Sequence, residues 1–193
     1  MSNGILGLLA SVIVLSGCAT SQTTGGDVPG ATPANSATPT SAQAVAGARV
    51  LLLRIPDGGN TEDGIAPGSG AAMAADIRDR LLQRGISPLV SEATTLQAAF
   101  EQAKSMGYDF VIKAVFIDWQ DNATEWSARP DHAGLSAELY DAKTATLIAS
   151  VTHREKGSAV SFVSQDPSRF YPAISNAILA KFLPVIASRR PGA

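Results

Sequence analysis

The chain has 193 residues, of which 45% are hydrophobic and 17% charged, with a formal net charge of −2. That balance excludes a highly charged disordered polymer and a strongly basic nucleic-acid binder, and the length suits one domain with a tail. All 15 Lys and Arg, and every acidic residue except Asp27, lie beyond residue 47, so the first quarter of the chain is not ordinary folded protein.

From Ile5 to Leu15 the sequence runs ILGLLASVIVL. A bilayer core takes about 20 helical residues, so this shorter run reads as the hydrophobic region of a signal peptide spanning residues 1–17. Met1-Ser2-Asn3-Gly4 contributes no Lys or Arg, leaving the terminal amine as its only positive charge. Leu15-Ser16-Gly17-Cys18 follows and resembles the bacterial lipobox, which implies an acylated Cys18 thiol and cleavage before it. The alternative is a free thiol buried in a helix. Cys18 is the single cysteine, so no intramolecular disulfide can form. Two or three acyl chains, at about 0.8 kcal/mol per buried methylene, make an effectively permanent anchor. Ala19 stands where an Asp would signal retention, and this resemblance to lipoprotein sorting patterns implies the outer membrane with the domain facing the periplasm.

Residues 18–47 form the expected tether: 23 of the 29 residues after Cys18 are Ala, Ser, Thr, Gly or Pro. No apolar face is present to offset the entropy of ordering, so the segment reads as a flexible linker. Such a coil spans roughly 30 Å on average and about 100 Å when extended.

Residues 48–193 then carry the folded part. Arg49 to Ile55, closed by Pro56-Asp57-Gly58-Gly59, reads as a strand buried on both faces. Ser69 offers an N-cap for a helix whose stripe is Ala74, Ile77, Leu81 and Leu82, ending at Gly85. Ser87–Val90 is a second strand. Thr94-Thr95-Leu96-Gln97 holds a capping box before Leu96, Ala99, Phe100, Ala103 and Met106, and Gly107 stops that helix. Phe110–Trp119 is a long strand. Leu135, Ala137 and Leu139 alternate in the next, and Asp141-Ala142-Lys143-Thr144 turns the chain into Leu147, Ala149 and Val151. Asp166-Pro167 and Pro172 prepare a last helix with Ile174, Ile178 and Phe182 on one face, which Pro184 kinks or ends. The order β-α-β-α-β-β-β-α predicts an α/β fold with a single mixed parallel/antiparallel sheet and helices packed on it.

Chemistry-bearing motifs are sparse. Gly68-Ser69-Gly70 at a helix start has the shape of a phosphate cradle, yet it lacks the P-loop lysine, and Met73 stands where the third glycine of a dinucleotide fingerprint belongs. Ser69 is not in a nucleophile elbow either. His132 and His153 lie 21 residues apart, which fits no compact metal motif, and His153 reads as a hydrogen-bonded sheet residue. We therefore assign no catalytic residue, no cofactor and no metal; Asp118, Asp121 and Glu125 lack calcium-loop spacing. The densest segment is DWQDNATEWSARPD, residues 118–131, which holds both tryptophans. Trp and Arg dominate binding hot spots, so Trp119, Trp126 and Arg129, with Glu125 and Asp131, are candidate partner-binding residues. The competing reading is a structural loop in which Trp126 covers the sheet and Arg129 pairs with Glu125 or Asp131.

RIPDGG, PGSG, the ATEWSARPD segment and YDAKTATLIAS together resemble a family of Gram-negative lipoproteins known as a domain of unknown function. The resemblance covers most of residues 49–183 and implies lipidation and architecture, with no reaction. In layout the chain is also similar, more distantly, to lipoprotein activators of cell-wall synthases, curli-secretion lipoproteins and the TolB N-terminal domain. The expectation is a membrane-anchored, non-enzymatic binding or adaptor module of the envelope. Its partner would be an envelope protein or cell-wall component, and not nucleic acid. Two alternatives stand beside it: a small-molecule or nucleotide-binding domain, or minor hydrolase, using the Gly58–Gly70 loop, and a subunit of an envelope assembly.

Overall fold

The computed structural model describes residues 45–60, 64–122, 130–157 and 166–189. Strand β1 (Arg49–Leu53) is central, and every residue of it except Arg49 is buried, as a strand covered on both faces requires. The short strands β2 (Gly59–Asn60) and β3 (Gly64–Ile65) form a separate antiparallel pair inside the Gly-rich loop. Helix α1 (Ser69–Gln83), strand β4 (Ser87–Ser91), helix α2 (Leu96–Met106) and strand β5 (Phe110–Gln120) follow. Strands β6 (His132–Asp141) and β7 (Thr146–Lys156), a 3-10 turn (Pro167–Phe170) and helix α3 (Tyr171–Ser188) complete the order.

The main sheet runs β4-β1-β5-β6-β7. β1 pairs in parallel with β4 and β5, while β5, β6 and β7 are antiparallel. The predicted mixed α/β sheet is therefore the observed one. Alternation along the strands divides the interior in two. Val50, Leu52, Phe110, Ile112, Leu135 and Leu139 meet α1 and α3 on one face, whereas Leu51, Leu53 and Val111 meet Ala99 and Ala103 of α2 on the other. On that second face α2 reaches the Tyr140 end of β6, where Phe100 packs edge-to-face on Tyr140 at 5.5 Å, and among the described residues no helix packs over Ser136, Glu138, Thr152 and Arg154.

Several local details differ from the sequence reading. The N-cap of α1 is Gly68, at φ 82°, and Ser69 is the first helical residue. Thr95, not Thr94, caps α2 by accepting from Ala98 N at 3.2 Å, and Gln97 instead donates to Glu101. Leu82, Met106 and Leu147 are 54%, 43% and 53% exposed, so the apolar stripes are narrower than their residues imply. For Leu147 the cause is a bulge: Leu139 pairs with Ala149 and Tyr140 with Leu147, leaving Ile148 as an extra residue on the edge strand. Pro184 does not end α3, which continues to Ser188. The segment Pro167–Ser188 is apolar and long enough to cross a membrane, but Ile174, Ile178, Phe182 and Ile186 are fully buried, which is how a core helix passes that test.

Candidate functional site

Strand β5 delivers the chain to the Trp-rich segment through a bulge. Phe116 pairs with Leu135 and the next pair is Asp118 with Gly134, so Ile117 is the extra residue. One added residue inverts the parity of everything after it. Trp119 thereby joins the core face, where it is 7% exposed and packs edge-to-face on Phe116 at 5.1 Å and against Tyr171 at 6.0 Å. Gly58 lies so close to the indole that a Cβ there would sit 3.0 Å from it. Asp118 turns to the opposite face and meets His132 Nε2 at 2.9 Å.

Asp131, also 7% exposed, holds the return of the same segment. Asn122 N donates to its Oδ1 at 2.8 Å, Asn122 Nδ2 donates to Pro130 O at 3.0 Å, and Gly157 N donates to Asp131 O at 2.8 Å. Residues 122 and 130–131 are thus pinned together at the end of the sheet. Of the candidate partner-binding residues, Trp119 and Asp131 are buried anchors offering little surface, and Glu125, Trp126 and Arg129 lie outside the described residues. Cys18 with its signal peptide and tether lies outside them as well.

The Gly-rich loop is organised by a side chain that sequence reasoning passed over. Asp57, read as part of a turn, reaches across to the start of α1, where Gly70 N donates to its Oδ1 at 2.9 Å and Gly68 N to its Oδ2 at 3.1 Å. Those two amide bonds, largest first from Gly70, together with the nearby Arg54 charge, hold its carboxyl below the usual carboxylate range. The amides that a phosphate would use at this helix start are therefore occupied by the protein's own carboxylate. Ser69 Oγ accepts from Gly58 N at 2.8 Å, and Tyr171 Oη donates to Ser69 O at 3.1 Å, so this serine ties loop to helix. A Cβ at Gly70 would collide with the Ile55 carbonyl oxygen, which fixes glycine there. Two clefts flank the loop, one of about 410 Å³ beside Trp119, Asp166, Ser168 and Tyr171, and one of about 330 Å³ beside Asp57, Arg54, Val90 and Glu92. The signal for Asp57 was available: a carboxylate a dozen residues ahead of a helix start that has no acidic first turn.

The two histidines point to different faces. His153 pairs across from Leu135 on the α1/α3 side and bonds Glu155 at 2.6 Å, the hydrogen-bonded sheet histidine expected from its parity. His132 lies on the open face. Among the described residues no group of three or more His, Cys, Asp or Glu is placed to hold a metal. Further along the open face, Glu138 accepts from Tyr140 Oη at 2.7 Å and pairs with Lys113 at 3.1 Å. Burial first, then the Glu138 bond, pushes the Tyr140 phenol up to about 12.

By sequence the chain belongs to the family described as Domain of unknown function (DUF4823), matched over residues 47–173. No curated protein matches it. Among solved structures it is similar to the PelC dodecamer from Paraburkholderia phytofirmans, at 18% identity and TM-score 0.56, over 77% of this chain and 93% of that one. It is likewise similar to protein XCC0632 from Xanthomonas campestris, at 9% identity and TM-score 0.53, over 76% and 91%. At these identities the likeness is one of fold. The LpoB C-terminal domain from Salmonella enterica also aligns, at 13% identity and TM-score 0.36 over 57% of this chain and 84% of that one. That overlap is too loose to carry an argument.

Proposed function

We propose that this protein is a lipid-anchored envelope component, tethered through Cys18 to the outer membrane with its domain in the periplasm. There it acts without catalysis, by binding an envelope protein or cell-wall component. The observation that carries this reading is the double anchoring of the segment joining β5 to β6. Trp119 is locked in the core on one side, and Asp131 with Asn122 closes the other. A segment with fixed ends pays less ordering entropy on binding, which suits a recognition element bearing Glu125, Trp126 and Arg129. The occupied α1 N-terminus supports this over nucleotide binding at the Gly58–Gly70 loop.

The test is recovery of partners from envelope extracts by the full chain, repeated with Trp126→Ala and Arg129→Ala. Loss of the same partner from both supports the reading, and undiminished recovery removes the surface. Anchoring is tested separately by palmitate labelling, which Cys18→Ser should abolish along with membrane fractionation. A second reading, a subunit of an envelope assembly, is favoured by the dodecameric state in which PelC crystallised. Light scattering of the detergent-extracted chain decides it, and a single-copy mass would exclude it.

A further inference from the structure

We propose that the open face of the sheet carries an oxyanion site, formed by Arg154 and Lys156 of β7 beside the Asp118–His132 pair, which takes a phosphate-bearing ligand. Two features converge there. The Ile117 bulge aims Asp118 onto this face. Gly134 lies beneath: a Cβ on it would meet Arg154 Cγ at 2.8 Å, Asp118 Cβ at 3.2 Å and Ile117 Cγ1 at 3.3 Å, so the arginine stem runs flat across the glycine. The result is a cleft of about 280 Å³ lined by Asp118, His132, Arg154, Glu155 and Lys156.

The cleft's two carboxylates and two permanent cations balance in formal charge, but they are not paired with one another. Asp118 is engaged by His132 at 2.9 Å and Glu155 by His153 at 2.6 Å, whereas neither Arg154 nor Lys156 has an ion pair among the described residues. The two cations stand opposite Gly134 and His132, on one face of β7, with Cα atoms roughly 7 Å apart. Two donors at that separation can each place a charge-assisted bond of about 2.8 Å on one tetrahedral anion. A planar carboxylate is satisfied by an arginine fork alone; a second cation approaching from another direction suits a phosphate. The cleft is smaller than the roughly 300–1,000 Å³ of a drug-sized pocket, so it holds a phosphate and its immediate substituent rather than a whole nucleotide. Two sources present that chemistry: the headgroup of an anionic phospholipid, and a soluble phosphate ester.

Calorimetric titration of the full chain with inorganic phosphate, glycerol 3-phosphate and monomeric dihexanoyl phosphatidylglycerol tests the site. Saturable binding is expected for at least one probe, weakened at least about tenfold by the double variant Arg154→Gln, Lys156→Gln. Glutamine keeps part of each stem, so unchanged thermal unfolding should accompany that loss. Lys143→Gln with Arg84→Gln, which removes two cations elsewhere, should leave binding intact. Tighter binding of phosphatidylglycerol assigns the headgroup; tighter binding of the soluble phosphates assigns the ester. No saturable binding of any probe, or equal weakening by the distant pair, overturns the proposal.

Discussion

Replacing Asp57 with alanine separates the capping role of this carboxylate from a vacant anion site. The variant removes the acceptor of two backbone amides, at 2.9 and 3.1 Å, from the first turn of α1. Loss of a helix cap costs about 1 kcal/mol, and loss of a negative charge at the positive end of the helix dipole adds about 0.5 kcal/mol at an exposed position. Asp57→Ala should therefore lower stability by roughly 1.5 kcal/mol, or a Tm shift on the order of 5 °C. The folded carboxyl titrates below its ordinary value of 3.8, because its amide bonds favour the charged form. The stabilisation is thus complete above that value and lost as pH falls through the depressed one. Urea unfolding of both proteins between pH 7 and pH 2.5 should show a constant gap down to about pH 4 that closes below it. Sulfate should also stabilise the variant more than the parent, since an external anion can take the vacated amides. A gap that does not narrow at all between pH 4 and pH 2.5, or equal gains from sulfate in both proteins, would refute the capping argument.

Other substitutions test the remaining links. Ser69→Ala leaves the buried Gly58 N–H without its acceptor and should cost about 1–3 kcal/mol in urea unfolding, a structural loss that a catalytic role would not predict. Deleting Ile117 makes Phe116 and Asp118 consecutive, so the pairs Phe116–Leu135, Asp118–Gly134 and Trp119–Ala133 form a regular ladder that keeps Asp118 on the open face and Trp119 in the core. The chain should keep a cooperative unfolding transition and the parent's buried-tryptophan emission, and a red-shifted emission with loss of cooperative unfolding would contradict the parity argument. Tyr140 should ionise near pH 12 in the folded protein, above its usual 10. Its contribution to stability is complete below pH 10 and falls away as pH rises through about 12; tyrosinate absorbance should lose that late step in Tyr140→Phe.

Much of the architecture was legible because it follows from periods and punctuation. The unbroken apolar run of β1 announced a strand covered on both faces, and the Ile174, Ile178, Phe182 spacing announced the buried side of α3. Gly107 at φ 70° ends α2 as its sequence position implies. What escaped were effects with no local signature. Residues 57 and 70 are joined across a loop, so Asp57 looked like a turn residue. A bulge depends on how two strands pair, and nothing around Ile117 in the sequence marks it as the extra residue.

The same distinction divides the protein's functional account. The sequence by itself determined the order of the five main-sheet strands and three helices, but not the β2–β3 pair, together with the lone cysteine within a lipobox-like run and the concentration of both tryptophans from the end of one strand onward. These are properties of neighbouring residues and need no knowledge of what meets what. Only the tertiary structure decided that Trp119 is core, that Asp131 ties the far end of the same segment, and that Arg154 lies over Gly134. Each depends on strand register, which is set when the sheet closes and many side chains choose one face together.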